Sequence, residues 1–527
     1  MSATSNDNIP NPLWYGLFWP LILLALLPWV ILHAAMYINL DTAWLMTAAQ
    51  RMIGGDHLAN NIYEPNPPLA VILHLPPALI SRYFQIPPYY SAFCYFSTLL
   101  VLSVAVTRTI TSRWRFLSRA DINVITAALL IASTVLSTTD FGERDQVILL
   151  GLLPFILGQV ALTNNWPFPD KLRWPVFLSG ALLVLLKPPL GLFPTLMIIH
   201  RMIKKRQFFA VLKQPDFIAL ASMTTGYIIL CLVAFPDYVH IILPDFIDLY
   251  LGGKSFKALI HSIEFAGAIT AALILLRLTP VSPEPKSLLY VLLCASLACT
   301  ISFLVQMMNL YYHLLPAIGF GLIGFALLAQ RLMSKYVPTE RSQYAVIALT
   351  LVIAYTTFPL NFAYPTHSEY KKLELTRLIS ECDECESFFM FTREMEALHP
   401  AIIYSGKTFA SRFPVYWFLP RILEYQDKAP GNKHAQDLIG KYSEMTAADF
   451  ERYKPELVII EQFKILKRKD TPFDFIGFFS QNESFRKEWQ YYRFDQTLTI
   501  DRRQYFPNVP SRKDKTLTFD IYRRTEN

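Results

Sequence analysis

Six cysteines in 527 residues form no framework. Cys94, Cys231, Cys294 and Cys299 stand in long apolar runs, where they read as buried free thiols. Cys382 and Cys385 sit close together as CDEC, with no second Cys pair and no His set nearby. That spacing argues against zinc. It leaves a local disulfide, if the surrounding domain lies outside the cytoplasm, or a redox pair. The amino-terminal MSATSNDNIPNPLWYG lacks Lys and Arg, and no cleavage site follows its apolar run. Leu13–Tyr37 is therefore read as a retained span rather than a signal peptide. The chain has no internal repeat, no low-complexity segment and no glycine-rich phosphate loop. Without repeated halves, a secondary transporter loses its main sequence signature. The net charge of +7 carries no reading of nucleic acid, and none is expected as a partner.

What the chain has in excess is apolar surface. It is 53% hydrophobic, with a mean hydropathy of +0.31. Such content belongs to a polytopic membrane protein. A span needs roughly 17–25 apolar residues. Eleven candidates lie near 14–37, 88–107, 122–139, 146–163, 173–186, 189–203, 216–235, 259–278, 287–305, 312–333 and 343–363. The fifth and sixth are short and flank Lys187-Pro188-Pro189, so one kinked helix, and ten spans, is the alternative. Residues 1–365 thus form a transmembrane domain whose first outer loop covers 38–88, and 366–527 form a soluble domain. In the soluble part, SFFMFT (387–392), AIIYSG (401–406) and ELVIIEQF (456–463) read as buried strands. Tyr416–Tyr425 and Ala435–Tyr442 read as helices, which makes the domain α/β.

Basic residues set the orientation. Arg108, Arg113, Arg115, Arg119, Lys171, Arg173, Arg201, Lys204, Lys205, Arg206, Lys213, Arg277, Lys286, Arg331, Lys335 and Arg341 all fall on one side. That side is cytoplasmic by the positive-inside rule. The first loop, the loop Asp140–Gln146 and the soluble domain then lie outside. The first loop carries a segment with Trp44, Leu45, Ala48 and Met52 on one helical face and Thr47, Gln50 and Arg51 on the other. This is the pattern of an interfacial amphipathic helix. Leu69–Phe84, with His74, Pro76 and Pro77 in mid-run, reads as a juxtamembrane or re-entrant helix opened by Pro67-Pro68.

The outer loops concentrate ionisable groups beside apolar spans. They are Asp41, Asp56 and Glu64; Asp140, Glu143, Arg144 and Asp145 in DFGERDQ; Lys187; Asp245, Asp248, Lys254 and Lys257; and Tyr311, Tyr312 and His313. Charge at membrane depth is costly and marks function by default. Sugar transfer from a lipid phosphate would use this set. A carboxylate takes the proton of an acceptor hydroxyl, cations stabilise the leaving phosphate, and an apolar groove holds the polyprenyl chain.

The order NLDTAWLMTAAQRM…YEPNPPL…FGERDQ…LLKPPLGLFP…NLYYHLLPA resembles bacterial multi-span glycosyltransferases of the GT-C superfamily. The similarity is to the branch of the aminoarabinose and protein O-mannosyl transferases (glycosyltransferase family 39), and it covers roughly 14–335. The resemblance implies a GT-C-like fold in the bacterial inner membrane, with the active site and soluble domain facing the periplasm. It implies Asp41, in the first outer loop, as the catalytic base. Pro67, Pro68 and Leu69 match the Pro-Pro-Leu of many members. Lys187-Pro188-Pro189 is similar to a basic residue followed by Gly-Pro. Glu143 or Asp145 corresponds to an acidic residue of the second outer loop that holds a metal or orients substrate. Many relatives follow the base directly with Glu, whereas Thr42 follows Asp41 here. On this reading Glu64, Glu143, Arg144, Lys187, Tyr312 and His313 bind substrate. The donor is a polyprenyl-phosphate sugar, and the acceptor is a lipid, glycan or protein. The set names no certain cofactor; a divalent cation, Mg or Mn, at Asp41 and Glu143 is compatible with it, and no structural metal is expected.

Each residue also has a plain structural role open to it. Asp41 precedes a helix and could cap it. Arg51 fits the polar face of an interfacial helix, Glu64 a solvated loop, and Glu143, Arg144 and Asp145 a mutual pairing. Lys187 fits a snorkelling side chain, His313 an aromatic-belt neighbour, and His74 a satisfied core histidine. A transporter or lipid flippase, and a noncatalytic scaffold for envelope assembly, are the rival classes.

Overall fold

The computed structural model describes residues 12–250, 256–306, 310–357, 363–429, 431–464, 472–505 and 515–525. The stretch before Pro12, Lys254, the Lys257 side chain and Asn309 lie outside the described residues. The chain divides into two compact units. The first comprises 1–34, 96–228 and 254–360, and the second 35–95, 229–253 and 361–527.

A helix stands at each of the eleven expected places, from Pro12–Ala35 to Thr339–Thr357. Among the described residues six segments are long and apolar enough to cross a membrane: Gly16–Ala35, Pro88–Thr111, Arg144–Asn164, Pro215–Ala234, Pro283–Gln306 and Tyr311–Met333. The protein is a multi-pass membrane protein. The helices Arg119–Thr134, Asp170–Val184 and Leu192–Lys205 have 16, 15 and 14 residues, under the length of a full crossing.

Within the first unit, Arg144–Asn164 is enclosed along nearly its whole length, against Asp170–Val184 on one side and Leu315–Met333 on another. Glycines let these backbones approach. A Cβ at Gly180 would lie 2.6 Å from Phe155, and one at Gly158 would lie 2.7 Å from Phe177. The fifth and sixth segments are two helices, not one kinked helix. Asp170–Val184 ends before Lys187, a 3₁₀ turn runs Pro188–Gly191, and Leu192–Lys205 follows. The cause is local. A residue before proline is driven out of the α region, and Lys187 sits at φ −146°, ψ 80°.

The second unit is built on a five-stranded mixed sheet of order β2-β1-β3-β5-β4. The strands are β1 (Ser387–Phe391), β2 (Thr408–Phe409), β3 (Leu457–Glu461), β4 (Tyr492–Asp501) and β5 (Thr516–Arg524). β1 pairs parallel with β2 and β3; β5 runs antiparallel to β3 and β4. Every residue of β1 and β3 is buried, so the continuous apolar runs read as strands are strands. Their outer face carries a dense aromatic core in which Phe391 lies against Tyr416, Phe475 and Phe479. Tyr63 of the first loop and Tyr238 and Leu249 of the segment 229–253 join it.

Two expectations fail here. Residues 401–406 are not a strand: they end the helix Met395–Ser405, which is buried from Ala397 through Ile402. Gly406, at φ +71°, stops it in the left-handed region that favours glycine. The first-loop helix, Leu40–Ile53, is not an interfacial helix with one wet face. Thr42 through Ala49 are all buried, and the helix is packed between Pro68–Phe84 and Met395–Ser405. The helix after Pro67 forms as expected, with Pro68 in its first turn. His74 is buried and bonds the Ala70 carbonyl at 2.8 Å, as a core histidine does.

Candidate active site

Asn39, not Asp41, caps the first-loop helix. Its side-chain oxygen accepts from the Asp41 and Thr42 amides at 2.9 and 3.2 Å. Asp41 therefore lies in the first helical turn, half-buried, where the helix dipole favours a carboxylate. One turn on, Trp44 is buried and its indole N–H donates to Glu64. The other Glu64 oxygen accepts from the backbone and side-chain amides of Asn66, the former at 2.6 Å. Glu64 is 1% exposed. It ties the first-loop helix to the turn that leads into Pro67-Pro68, and His399 packs on Trp44 at 5.2 Å between ring centres.

Arg51 is a structural clamp. It donates to Asp56 at 2.8 Å, to the carbonyls of Ser411 and Asn61 at 2.6 and 2.8 Å, and to the Tyr453 hydroxyl at 2.9 Å. Asp56 is held on its other side by Arg452 at 2.8 Å. Burial by itself would raise the Asp56 pKa, but the two guanidinium hydrogen bonds outweigh it and the net shift is downward.

A second cluster lies in the first unit, at the start of the helix Arg144–Asn164. Gly142, at φ +92°, turns the chain into that helix where a Cβ would lie 2.8 Å from Phe96. The Gln146 side chain accepts from the Gly142 amide at 2.6 Å and donates to the Ser133 carbonyl at 2.7 Å, pinning the loop. Arg144 and Asp145 then fall in the first turn. Lys187 reaches both Asp145 oxygens, at 2.8 and 2.7 Å. Asp145 is buried and Lys187 nearly so. Burial lowers the Lys187 pKa, Asp145 pulls it back, and the neighbouring charges of Arg144 and Glu143 act in opposite senses. His313 faces the Lys187 and Arg144 charges, stands edge-on to Tyr312 at 4.5 Å, and its Nδ1 has no hydrogen-bond partner among the described residues. The structure thus gathers Glu143, Arg144, Asp145, Lys187 and His313, drawn from three loops far apart in sequence.

Asp41 and Glu64 belong to the second unit; Glu143, Arg144, Lys187, Tyr312 and His313 belong to the first. Among the described residues no three His, Cys, Asp or Glu side chains gather as a metal-binding group. Asp245 and Asp248 of the fourth loop are satisfied within the second unit. Asp245 takes bonds from Tyr63, from Tyr442 at 2.7 Å and from Lys441 at 2.6 Å. Asp248 takes them from Tyr425 and His434, both at 2.7 Å. Sequence reasoning passed over Asn39, although an Asn just before a helical pattern is a start signal. It also passed over His399, which no local pattern marks.

No family model matches the chain, and no curated protein does. Among solved structures it is similar to ArnT from Cupriavidus metallidurans crystallised with undecaprenyl phosphate. The identity is 13% over 85% of this chain and 93% of that one, with a TM-score of 0.48. For the apo state of the same protein the values are 12%, 76%, 85% and 0.31.

Proposed function

We propose that the protein is an integral membrane glycosyltransferase that moves a monosaccharide from a polyprenyl-phosphate donor to an extracytoplasmic acceptor. The observation that carries this reading is the division of labour at the first-loop helix. Asn39 does the capping, and the half-buried Asp41 is held in place by a helix packed on all sides. Asp41 takes the proton of the acceptor hydroxyl. The acceptor oxygen bonds to the anomeric carbon as the bond from that carbon to the phosphate oxygen breaks. A single displacement of this kind inverts the anomeric centre. Arg144 and Lys187 stabilise the departing lipid phosphate, and Tyr312 and His313 line the donor sugar. Glu64 positions the base-bearing loop, and Glu143 orients substrate.

The test is transfer from a labelled polyprenyl-phosphate sugar in proteoliposomes. Asp41→Asn should lower transfer by at least about 100-fold, the lower range for a general base, with donor binding unchanged. A well-expressed Asp41→Asn protein of full activity would sink the assignment. Movement of labelled lipid across the bilayer with no new glycosidic bond would instead identify a flippase.

A further inference from the structure

Away from these clusters, a groove of about 570 Å³ opens between the helices Leu192–Lys205 and Pro283–Gln306 of the first unit. Its walls are apolar, with Leu196 and Met197 on one side and Tyr290 and Val291 on the other. Its rim is basic, with Lys204 and Lys286 at one end. The flank beside it carries exposed apolar side chains at helical spacing, Leu192, Leu196, Ile199 and Ile203, as a helix facing hydrocarbon does. Phe208 and Phe209, both exposed, follow just past the lysine end, where aromatic side chains mark a membrane–water boundary.

The charges on this side are not equivalent. Arg201 is paired with Asp216, Arg331 with Asp121 and Arg173 with Asp170. Among the described residues the three lysines near the groove bond only neutral oxygens. Lys204 donates to the Asn164 side chain at 2.9 Å. Lys205 donates to the Leu162 carbonyl and the Asn165 side chain at 2.7 and 2.9 Å. Lys286 donates to the carbonyls of Arg277 and Thr279 at 3.4 and 3.3 Å. An apolar slot open towards lipid, closed at one end by uncompensated cations, is complementary to one class of molecule.

We propose that this groove binds an anionic glycerophospholipid from the leaflet on the basic side. One acyl chain lies between the two helices, and the phosphate lies at Lys204, Lys205 and Lys286. The site is separate from the sugar-transfer clusters and does not depend on their assignment.

Native mass spectrometry of the full chain, released from nanodiscs of equimolar phosphatidylglycerol and phosphatidylethanolamine, tests the proposal. Phosphatidylglycerol should be retained about tenfold over phosphatidylethanolamine. The Lys204→Gln/Lys286→Gln protein should lose that preference. Val291→Trp, which fills the slot and keeps every cation, should lose it too, with both variants monodisperse. Equal retention of the two lipids by the unaltered chain, or a preference that survives both variants, overturns the proposal. So does displacement of the bound lipid by inorganic phosphate alone, or a tenfold preference for polyprenyl phosphate over phosphatidylglycerol at the same lysines.

Discussion

The Lys187–Asp145 pair joins residues 42 positions apart, and both members are largely out of water. Removing one partner of such a pair leaves a buried charge unmatched, at about 3–5 kcal/mol, while replacing both by apolar groups is close to neutral. Lys187→Met should therefore lower thermal stability sharply, and Lys187→Met/Asp145→Leu should restore most of it. If Lys187 holds the donor phosphate, the stable double variant still fails to bind a polyprenyl phosphate. Restored stability together with restored binding would confine Lys187 to a structural part. A second residue-scale test lies in the soluble part. Arg502 pairs with Glu394 at 2.5 Å, and Glu396 lies half-buried beside them. Burial first, then the hydrogen bond and charge of Glu394, push Glu396 from 4.5 up to about 8, with Arg502 opposing. Between those values the folded chain holds a proton that the unfolded chain releases. This group's contribution to stability therefore falls as pH rises through that window. Melting temperatures across the same window should fall less for Glu396→Gln than for the unaltered chain; parallel falls would refute the assignment.

At the scale of elements, helix approach depends on what is missing from glycine. Gly180→Val places side-chain atoms where Phe155 already is and should cost about 1–3 kcal/mol through overpacking. Gly226, on the helix Pro215–Ala234, would meet nothing within 4 Å. Gly226→Ala should leave the melting temperature unchanged or raise it, since alanine is the better helix former by roughly 1 kcal/mol. The two melting curves, compared in one detergent, check both statements. The elements also show which local signals sufficed. β1 and β3 were legible because a strand buried on both faces is a continuous apolar run. Ile402-Ile403-Tyr404 is such a run too, yet it closes a helix that is buried continuously from Ala397 to Ile402, and a short apolar run does not by itself separate a buried strand from a buried helix. β4 and β5 were not recognised. They form an antiparallel ladder, and β4 is largely exposed, so the signal reduces to the alternation of Leu517, Phe519 and Ile521.

At the scale of the whole molecule, two cysteines bear on which side of the membrane holds the second unit. Cys382 and Cys385 are joined in a disulfide, the form expected outside a reducing cytoplasm. In intact cells, Lys428→Cys, at an exposed position, should react with an impermeant maleimide, and Lys204→Cys should not. Cys382 and Cys385 should resist alkylation until a reductant is added. The reverse labelling pattern would invert the topology and remove the extracytoplasmic acceptor. The positions of the helices and the side on which basic residues gather followed from the chain itself, because hydropathy and charge act over a few neighbouring residues; Asp41 as candidate base came from the family resemblance. The order of the letters could not assign partners. It left Asp41 between cap and base, the first-loop helix between interface and interior, and Lys187 between solvent and ion pair. Tertiary structure decided that Asn39 is the cap, that the helix is enclosed and that Lys187 meets Asp145, because each depends on groups brought together only when distant segments pack.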